Sequence, residues 1–406
     1  MSAVVPPPQG CILVMNAGSS SLKFSLYEIE PATEVAARLQ PLLEGEIDSR
    51  PSLTRFDIRR ADGTPALSES YSAEAPGFEQ LLARLMQWLQ AHLSRPLVAA
   101  GHRVVHGGPH YSRPVRITAQ VRRDLQAAVP LMPLHLPHNL APVDWLSASH
   151  PELPQIACFD TGFHASVPPL RRLFGLPRAL ADAGVVRYGF HGLSYEYIAS
   201  QLPRLDPALA QGKVVVAHLG NGASVCALQA GRSVATSMGF SALDGLVMGT
   251  RCGALDPGVL LYLLRERGMN ADQLEHLLYH ESGLLGLSGG ISSDMRELLA
   301  SEQPQAAEAV EVFVQRAIRE IGALATTMGG MDALIFTAGI GEHASDIRRR
   351  IAAGFAWLGL HLDEAANAAH GPALHAAHSR LQAWAVPTDE DGMIARHCLD
   401  LLSGAS

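Results

Sequence analysis

Two segments of this chain share one design, and that pair limits the possible folds more than any other feature. Cys11 to Ile29 reads as an apolar strand, the small-residue turn Asn16-Ala17-Gly18-Ser19-Ser20-Ser21, and a returning strand in which Leu22, Phe24 and Leu26 alternate with Lys23, Ser25 and Tyr27. About two hundred residues later, Val214 to Val225 repeats the pattern around the turn Leu219-Gly220-Asn221-Gly222-Ala223-Ser224. The chain has 406 residues, which at about 150 per domain leaves room for two such units. We therefore expect two related domains, although Gly/Ser turns between strands are common in themselves.

Strands and helices alternate elsewhere, which gives an α/β class. Helices are expected over Gly77 to Leu93, Leu193 to Leu202 and Gln305 to Met328, and from Asp389 to Leu402. Strands are expected from Leu97 into Val105, over Gln155 to Phe159 and over Asp332 to Thr337, with Ser345 capping a further helix. Pro130 to Pro154, dense in proline and histidine, reads as loop with at most a short helix.

With 31 basic and 39 acidic side chains the net charge is −8, so no general attraction to nucleic acid or an anionic membrane is expected. Small anions must be caught locally. Lys23 and Lys213 are the only lysines, so nearly all positive charge sits on arginine, whose planar fork suits carboxylate and phosphate. The five cysteines have neither CxxC nor metal-finger spacing, and the first ten residues carry no basic charge. Both features point to a soluble cytoplasmic protein with free thiols and no membrane association.

Several segments could carry chemistry. The Asn16–Ser21 turn can form a nest of backbone N–H groups for phosphate, with Ser19 and Ser21 adding hydroxyls; a plain hairpin turn explains it equally well. His218 and Asn221 in HLGNGAS favour the functional reading, because two nests could grip one polyphosphate. Neither turn is GxxxxGKS, and no GxGxxG opens a helix after a strand. Arg103, before Gly107-Gly108, and Arg251, between Gly249 and Gly253, suit the charge of a transferring phosphoryl group; a surface ion pair is the plain alternative for Arg103.

Asp160 ends a strand and could orient an acceptor, hold a metal-bound water or cap a helix, with His164 four residues on. His191, flanked by Gly189 and Gly192, could donate to a developing charge. GGISSDMREL, with Asp294, Met295 and Arg296, and FTAGIGEH, with Gly339, Ile340 and Gly341, could receive a nucleoside or be helix starts. Glu390, in an acidic cluster, could help bind Mg²⁺ or favour a helix dipole.

Taken in order, NAGSSSLKF, HRVVHGG, FDTGFH, RYGFHG, HLGNGAS, TSMGF…MGTRCG and FTAGIGE strongly resemble the acetokinase family, over nearly the whole chain from Asn16 to Arg396. The resemblance implies reversible Mg²⁺-dependent phosphoryl transfer from ATP to a short-chain carboxylate, with Mn²⁺ as a possible substitute. It implies two ribonuclease-H-like, actin-like ATPase domains around an interdomain cleft, residues 1–160 with 391–406 and residues 161–390, in a homodimer. By the same matching, Arg103 and Arg251 bind substrate and phosphoryl group, His191 stabilises the transition state, and Asp160 is the essential acid. Asn16 and Glu390 are the metal positions. Val105, Leu134 and Phe190 line the acyl pocket, and Ser19, Lys23, His218, Leu219, Gly220, Asn221 and Gly222 serve the phosphates. Asp294, Met295, Arg296, Gly339, Ile340 and Gly341 serve the adenosine.

Ala242 stands where a proline is usual in that pattern, which could enlarge the acyl pocket toward propionate; Ala254, Gly290 and Asp391 depart as well. Acetate kinase activity is the first expectation and propionate kinase activity the near alternative. A non-catalytic actin-like ATP-binding module would need neither arginine nor His191.

Overall fold

Apolar runs too short to span a membrane become the centres of two sheets. A computed structural model describes residues 9–18, 21–30, 38–50, 53–72 and 76–404. The chain divides into two units, Met1–Gly162 with Asp389–Ser406, and Phe163–Thr388.

In the first unit, β1 (Cys11–Ala17), β2 (Ser21–Glu30), β3 (Arg38–Arg50), β4 (Leu53–Arg60), β5 (Pro65–Tyr71), β6 (Leu97–Val104), β7 (Val115–Arg116) and β8 (Gln155–Phe159) form one sheet. Its order is β5-β4-β3-β2-β1-β6-β8-β7. Strands β1, β2 and β3 are antiparallel neighbours, whereas β1, β6 and β8 run parallel. In the second unit, β9 (Lys213–Leu219), β10 (Ala223–Gln229), β11 (Arg232–Thr236), β12 (Ala333–Thr337) and β13 (Gln382–Ala385) are ordered β11-β10-β9-β12-β13. Here too the first three strands are antiparallel and the following two parallel. The repeated turn motif thus belongs to a repeated topology, the mixed α/β fold expected of ribonuclease-H-like domains.

Burial on both faces explains why β1 and β9 read as continuous apolar runs. In the first sheet Leu13 and Met15 pack with Leu81, Leu82, Leu85 and Leu89 of the helix Phe78–His92. On β6, a Cβ at Gly101 would lie 2.5 Å from Ile394 Cγ2 and 2.7 Å from Cys398 Sγ, so the bare backbone admits the helix Glu390–Leu402. In the second sheet Val214 and Val216 pack with Tyr195, Ile198 and Leu202 of the helix Gly192–Leu205. Each such fully buried side chain contributes about 1.5–3 kcal/mol.

Three expectations are corrected. Pro130–Pro154 is not mainly loop: Leu136–Ser149 is a helix, with Pro137 in its first turn and Pro142 inside it. Leu136, Leu140, Val143 and Leu146 bury one face, and that packing outweighs the backbone bond lost at Pro142. Ser345 is the first residue of the helix Ser345–Ala353, whose N-cap is Ala344 without a side-chain bond. Glu390, expected in the C-terminal domain, belongs to the first unit because it opens the helix that packs on β6.

Burial pushes the imidazoles of His102, His106 and His164 down to about 4. The unfolded chain binds these protons near pH 6.5 and the folded chain does not, so their stability is fully present above pH 6.5 and lost as pH falls toward 4. Urea denaturation should show stability falling by roughly 1.4 kcal/mol per pH unit per histidine across that window. The loss should be smaller in His164→Gln. An equal loss in that variant would contradict the assignment.

Candidate active site

In the first unit, three neighbouring strands deliver polar side chains at their carboxyl ends, where open α/β sheets receive ligands. Asn16 lies near the end of β1, Arg103 near the end of β6, and Asp160 directly follows β8. Arg103 makes a two-pronged ion pair with Asp160, Nε to Oδ1 at 3.0 Å and Nη2 to Oδ2 at 2.5 Å, and donates from Nη1 to Asn16 Oδ1 at 3.1 Å. Glu390 Oε2 stands 3.7 Å from Arg103 Nε. Burial raises the Glu390 carboxyl above the usual range, against the pull of Arg103. Asp391 is raised by burial as well, while accepting a hydrogen bond from Ser25 at 2.5 Å.

A buried asparagine that sequence reasoning missed braces these strand ends. Asn139 accepts from Val105 N at 3.0 Å and donates to Ala17 O at 2.6 Å, tying the exit of β1 to the segment after β6. A Cβ at Gly107 would lie 2.0 Å from Tyr111 O, so the chain's own backbone fills the space beside it. Val105 is buried and Leu134 half-buried. Lys23 is exposed and stands opposite Asn16 in the β1–β2 register. Ser19 lies outside the described residues.

In the second unit, the β9–β10 turn gathers the remaining chemistry. Gly249 N donates to Asn221 O at 2.9 Å, and a Cβ at Gly249 would lie 1.9 Å from Asn221 Oδ1, so the Arg251 loop packs onto the turn through glycine. A Cβ at Gly222 would lie 2.7 Å from Arg251 Nη2 and 3.2 Å from His191 Nε2. The bare Cα of Gly222 is therefore what allows a guanidinium and an imidazole to meet above the turn. Arg251 is aimed by a 2.8 Å bond from Nη1 to Ala242 O.

His191 occupies the left-handed region, with φ 58°, at the N-cap of Gly192–Leu205. Such conformations cost of order 1–3 kcal/mol and cluster at functional sites. Its ring stacks on His218 at 4.3 Å between centroids, and His218 Nδ1 lies 2.8 Å from Ser194 Oγ. His164 takes a structural part, its ring nitrogens 2.9 Å from Ser233 Oγ and 2.9 Å from Phe190 O.

Beside the turn lies a cavity of about 560 Å³, lined by Gly220, Asn221, Asp294, Met295, Arg296, Gly339 and Ile340, with Ser293, Leu299, His343 and Ala344. Its size suits a nucleoside. Asp294 both caps Met295–Ala300 and pairs with Arg296, Nη2 to Oδ2 at 2.5 Å, so the capping alternative holds alongside the lining role. Leu219 and Gly341 do not line the cavity; both are buried, in β9 and in the helix Ala338–His343.

The wall formed by Ala338–His343 is braced by Arg348, a fully buried side chain that sequence reasoning missed. Arg348 donates to the carbonyls of Gly341 and Glu342 at 2.9 and 2.7 Å, to Asn367 Oδ1 and O at 2.9 and 2.7 Å, and to His370 Nδ1 at 3.1 Å. No sequence pattern separates it from its neighbours Arg349, exposed, and Arg350, half-buried. Arg348→Ala leaves these acceptors buried and unmatched, which should cost about 2–4 kcal/mol in urea denaturation and weaken ADP binding. Unchanged stability and unchanged ADP affinity would contradict the bracing role.

The acetokinase family model matches residues 11–396. The chain is 53% identical over 397 residues to an acetate kinase of Rhodopseudomonas palustris (strain ATCC BAA-98 / CGA009), covering 97% of this chain and 98% of that protein. Its fold matches a propionate kinase of Francisella tularensis with TM-score 0.87 at 34% identity, over 96% of this chain and 98% of the other. It matches an acetate kinase of Porphyromonas gingivalis with TM-score 0.84 at 31% identity, over 95% and 98%. The strand-end charges, the glycine turn with its arginine and histidine, and these full-length matches agree: the chain belongs to the acetokinase family.

Proposed function

We propose that the chain reversibly transfers the γ-phosphoryl group of ATP to acetate, giving acetyl phosphate and ADP. The observation that carries this reading is the meeting of Arg251 Nη2 and His191 Nε2 over Gly222. Acetate is already ionised at neutral pH, so no general base is needed. The difficulty is repulsion between two anions. A cationic fork and an imidazole N–H offset charge on the equatorial oxygens of the group in flight, which is how phosphoryl transfer is accelerated. His218 and Asn221 serve the phosphates, and the adenosine lies in the cavity between Asp294–Arg296 and Gly339–Ile340.

Arg103 serves the acetate carboxylate in this reading, held in orientation by Asp160. That ion pair cancels the charge of Arg103, so an ionised Glu390 leaves the cluster net negative. Such an excess fits a hard divalent cation on oxygen ligands, with Glu390 and Asn16 as its protein positions. Among the described residues no three His, Cys, Asp or Glu side chains group into a cage, which suits Mg²⁺, an ion that keeps waters and substrate phosphates as ligands. When bound, Mg²⁺ or Mn²⁺ supplies charge neutralisation on the phosphates.

Propionate is the second reading, favoured by the small side chain of Ala242 and by the likeness to the Francisella propionate kinase. The likeness to the Rhodopseudomonas acetate kinase favours acetate, and one methylene is worth only about 1–3 kcal/mol in an apolar pocket. We also infer a homodimer in the cytoplasm. In support, the helix Pro257–Arg265 buries none of its residues, with Val259, Leu261, Tyr262 and Leu264 between 39% and 49% exposed. No helix among the described residues is long and apolar enough to cross a membrane.

Hydroxylamine trapping of the acyl phosphate should give the highest kcat/KM with acetate, and a large preference for propionate would overturn the substrate. Arg251→Ala should lower kcat by about 10³ to 10⁵ with ADP affinity little changed; undiminished acyl-phosphate formation would refute the kinase reading. Light scattering should find a dimer that Leu261→Glu/Tyr262→Glu converts to monomer. A monomeric native chain would contradict the assembly.

A further inference from the structure

We propose that Tyr195 and Ser224 are positioning residues that hold His191 in the tautomer with its proton on Nε2. The inference rests on the kinase reading for its catalytic consequence, but its proton arrangement stands on geometry alone. Ser224 Oγ lies 2.8 Å from His191 Nδ1 and 2.5 Å from the Tyr195 hydroxyl. Tyr195 and Ser224 are fully buried, and His191 is 9% exposed. Tyr195 sits one helical turn beyond His191, its N–H bonded to His191 O at 3.1 Å. Ser224 stands opposite His218 in the β9–β10 register. Helix and sheet together therefore fix all three groups.

A serine hydroxyl has one proton to give, and here it has two neighbours. Either Tyr195 donates to Ser224 and Ser224 donates to His191 Nδ1, or the chain runs in reverse; were Ser224 to accept from both, its own buried proton would be left without an acceptor, a costly arrangement. A phenol, ionising near pH 10, is far more acidic than an aliphatic alcohol, so it is the better donor and the poorer acceptor. Ser224 then gives its proton to Nδ1, which must accept, and the ring hydrogen resides on Nε2.

That nitrogen is the one turned toward the bare Cα of Gly222, beside Arg251. The relay thus presents a donor to the reacting group from a neutral ring. The charged and titratable groups facing His191 support neutrality: His218 stacks on it from β9, Arg251 approaches across Gly222, and Tyr195 reaches it through Ser224. The Arg251 guanidinium disfavours a second positive charge beside it.

The first test is a ¹⁵N spectrum of the wild-type His191 ring at pH 8, assigned with His191→Gln. The shifts should report a neutral ring protonated on Nε2; a ring protonated on Nδ1 would overturn the proposal whatever reaction the enzyme performs. The second is kinetic. Ser224→Ala and Tyr195→Phe should lower kcat for acetyl phosphate formation about 10- to 100-fold and about 3- to 10-fold, with KM for ATP and acetate within about twofold. In Ser224→Ala, kcat should also rise as pH falls from 8 to 6, since an imidazolium carries a proton on Nε2 without help, whereas wild-type kcat should be flat there. Unchanged kcat and an unchanged pH profile in Ser224→Ala would overturn the proposal. An unaffected His191→Gln enzyme would instead overturn the catalytic role assigned to His191 itself.

Discussion

The second unit is organised around a missing Cβ. Gly222 turns the chain between two buried strands, and any side chain there would occupy the volume in which Arg251 Nη2 and His191 Nε2 approach the turn. The neighbouring features serve that meeting. Gly249 lets the arginine loop close onto Asn221, the carbonyl of Ala242 aims the guanidinium, and the left-handed backbone at His191 swings its ring over the β9–β10 hairpin. Each is a local cost or constraint that a plain hairpin would not need.

The first unit answers the same topology with opposite means. Its equivalent hairpin, β1–β2, carries Asn16 near the end of β1, and the parallel strands β6 and β8 bring Arg103 and Asp160 to the same edge. The guanidinium there is clamped by a carboxylate, and a second, half-buried carboxyl stands close by. One fold used twice thus yields a guanidinium and an imidazole over one turn and a compensated, acid-rich cluster at the other.

Much of this is legible in the sequence. The two hairpins, the strand-end positions of Asn16 and Asp160, and the glycines around Arg251 are local patterns with a period or a turn chemistry behind them. The helix Leu136–Ser149 was hidden because its prolines speak against a helix while its buried face, Leu136, Leu140, Val143 and Leu146, speaks for one through packing that only the fold supplies. Asn139, Arg348 and Ser224 were invisible for a related reason. Each is an ordinary polar residue whose weight comes from being buried against groups 33, 34 or 122 residues distant, or 19 in the case of Arg348 and Asn367.

The central claim is that the reaction depends on the space above Gly222, and Gly222→Ala tests it most directly. The account predicts a kcat for acetyl phosphate formation at least about 100-fold below wild type, as one preorganised donor loses its place, with ADP affinity within a few-fold because the nucleoside cavity is untouched. Wild-type kcat in a correctly folded Gly222→Ala enzyme would contradict it.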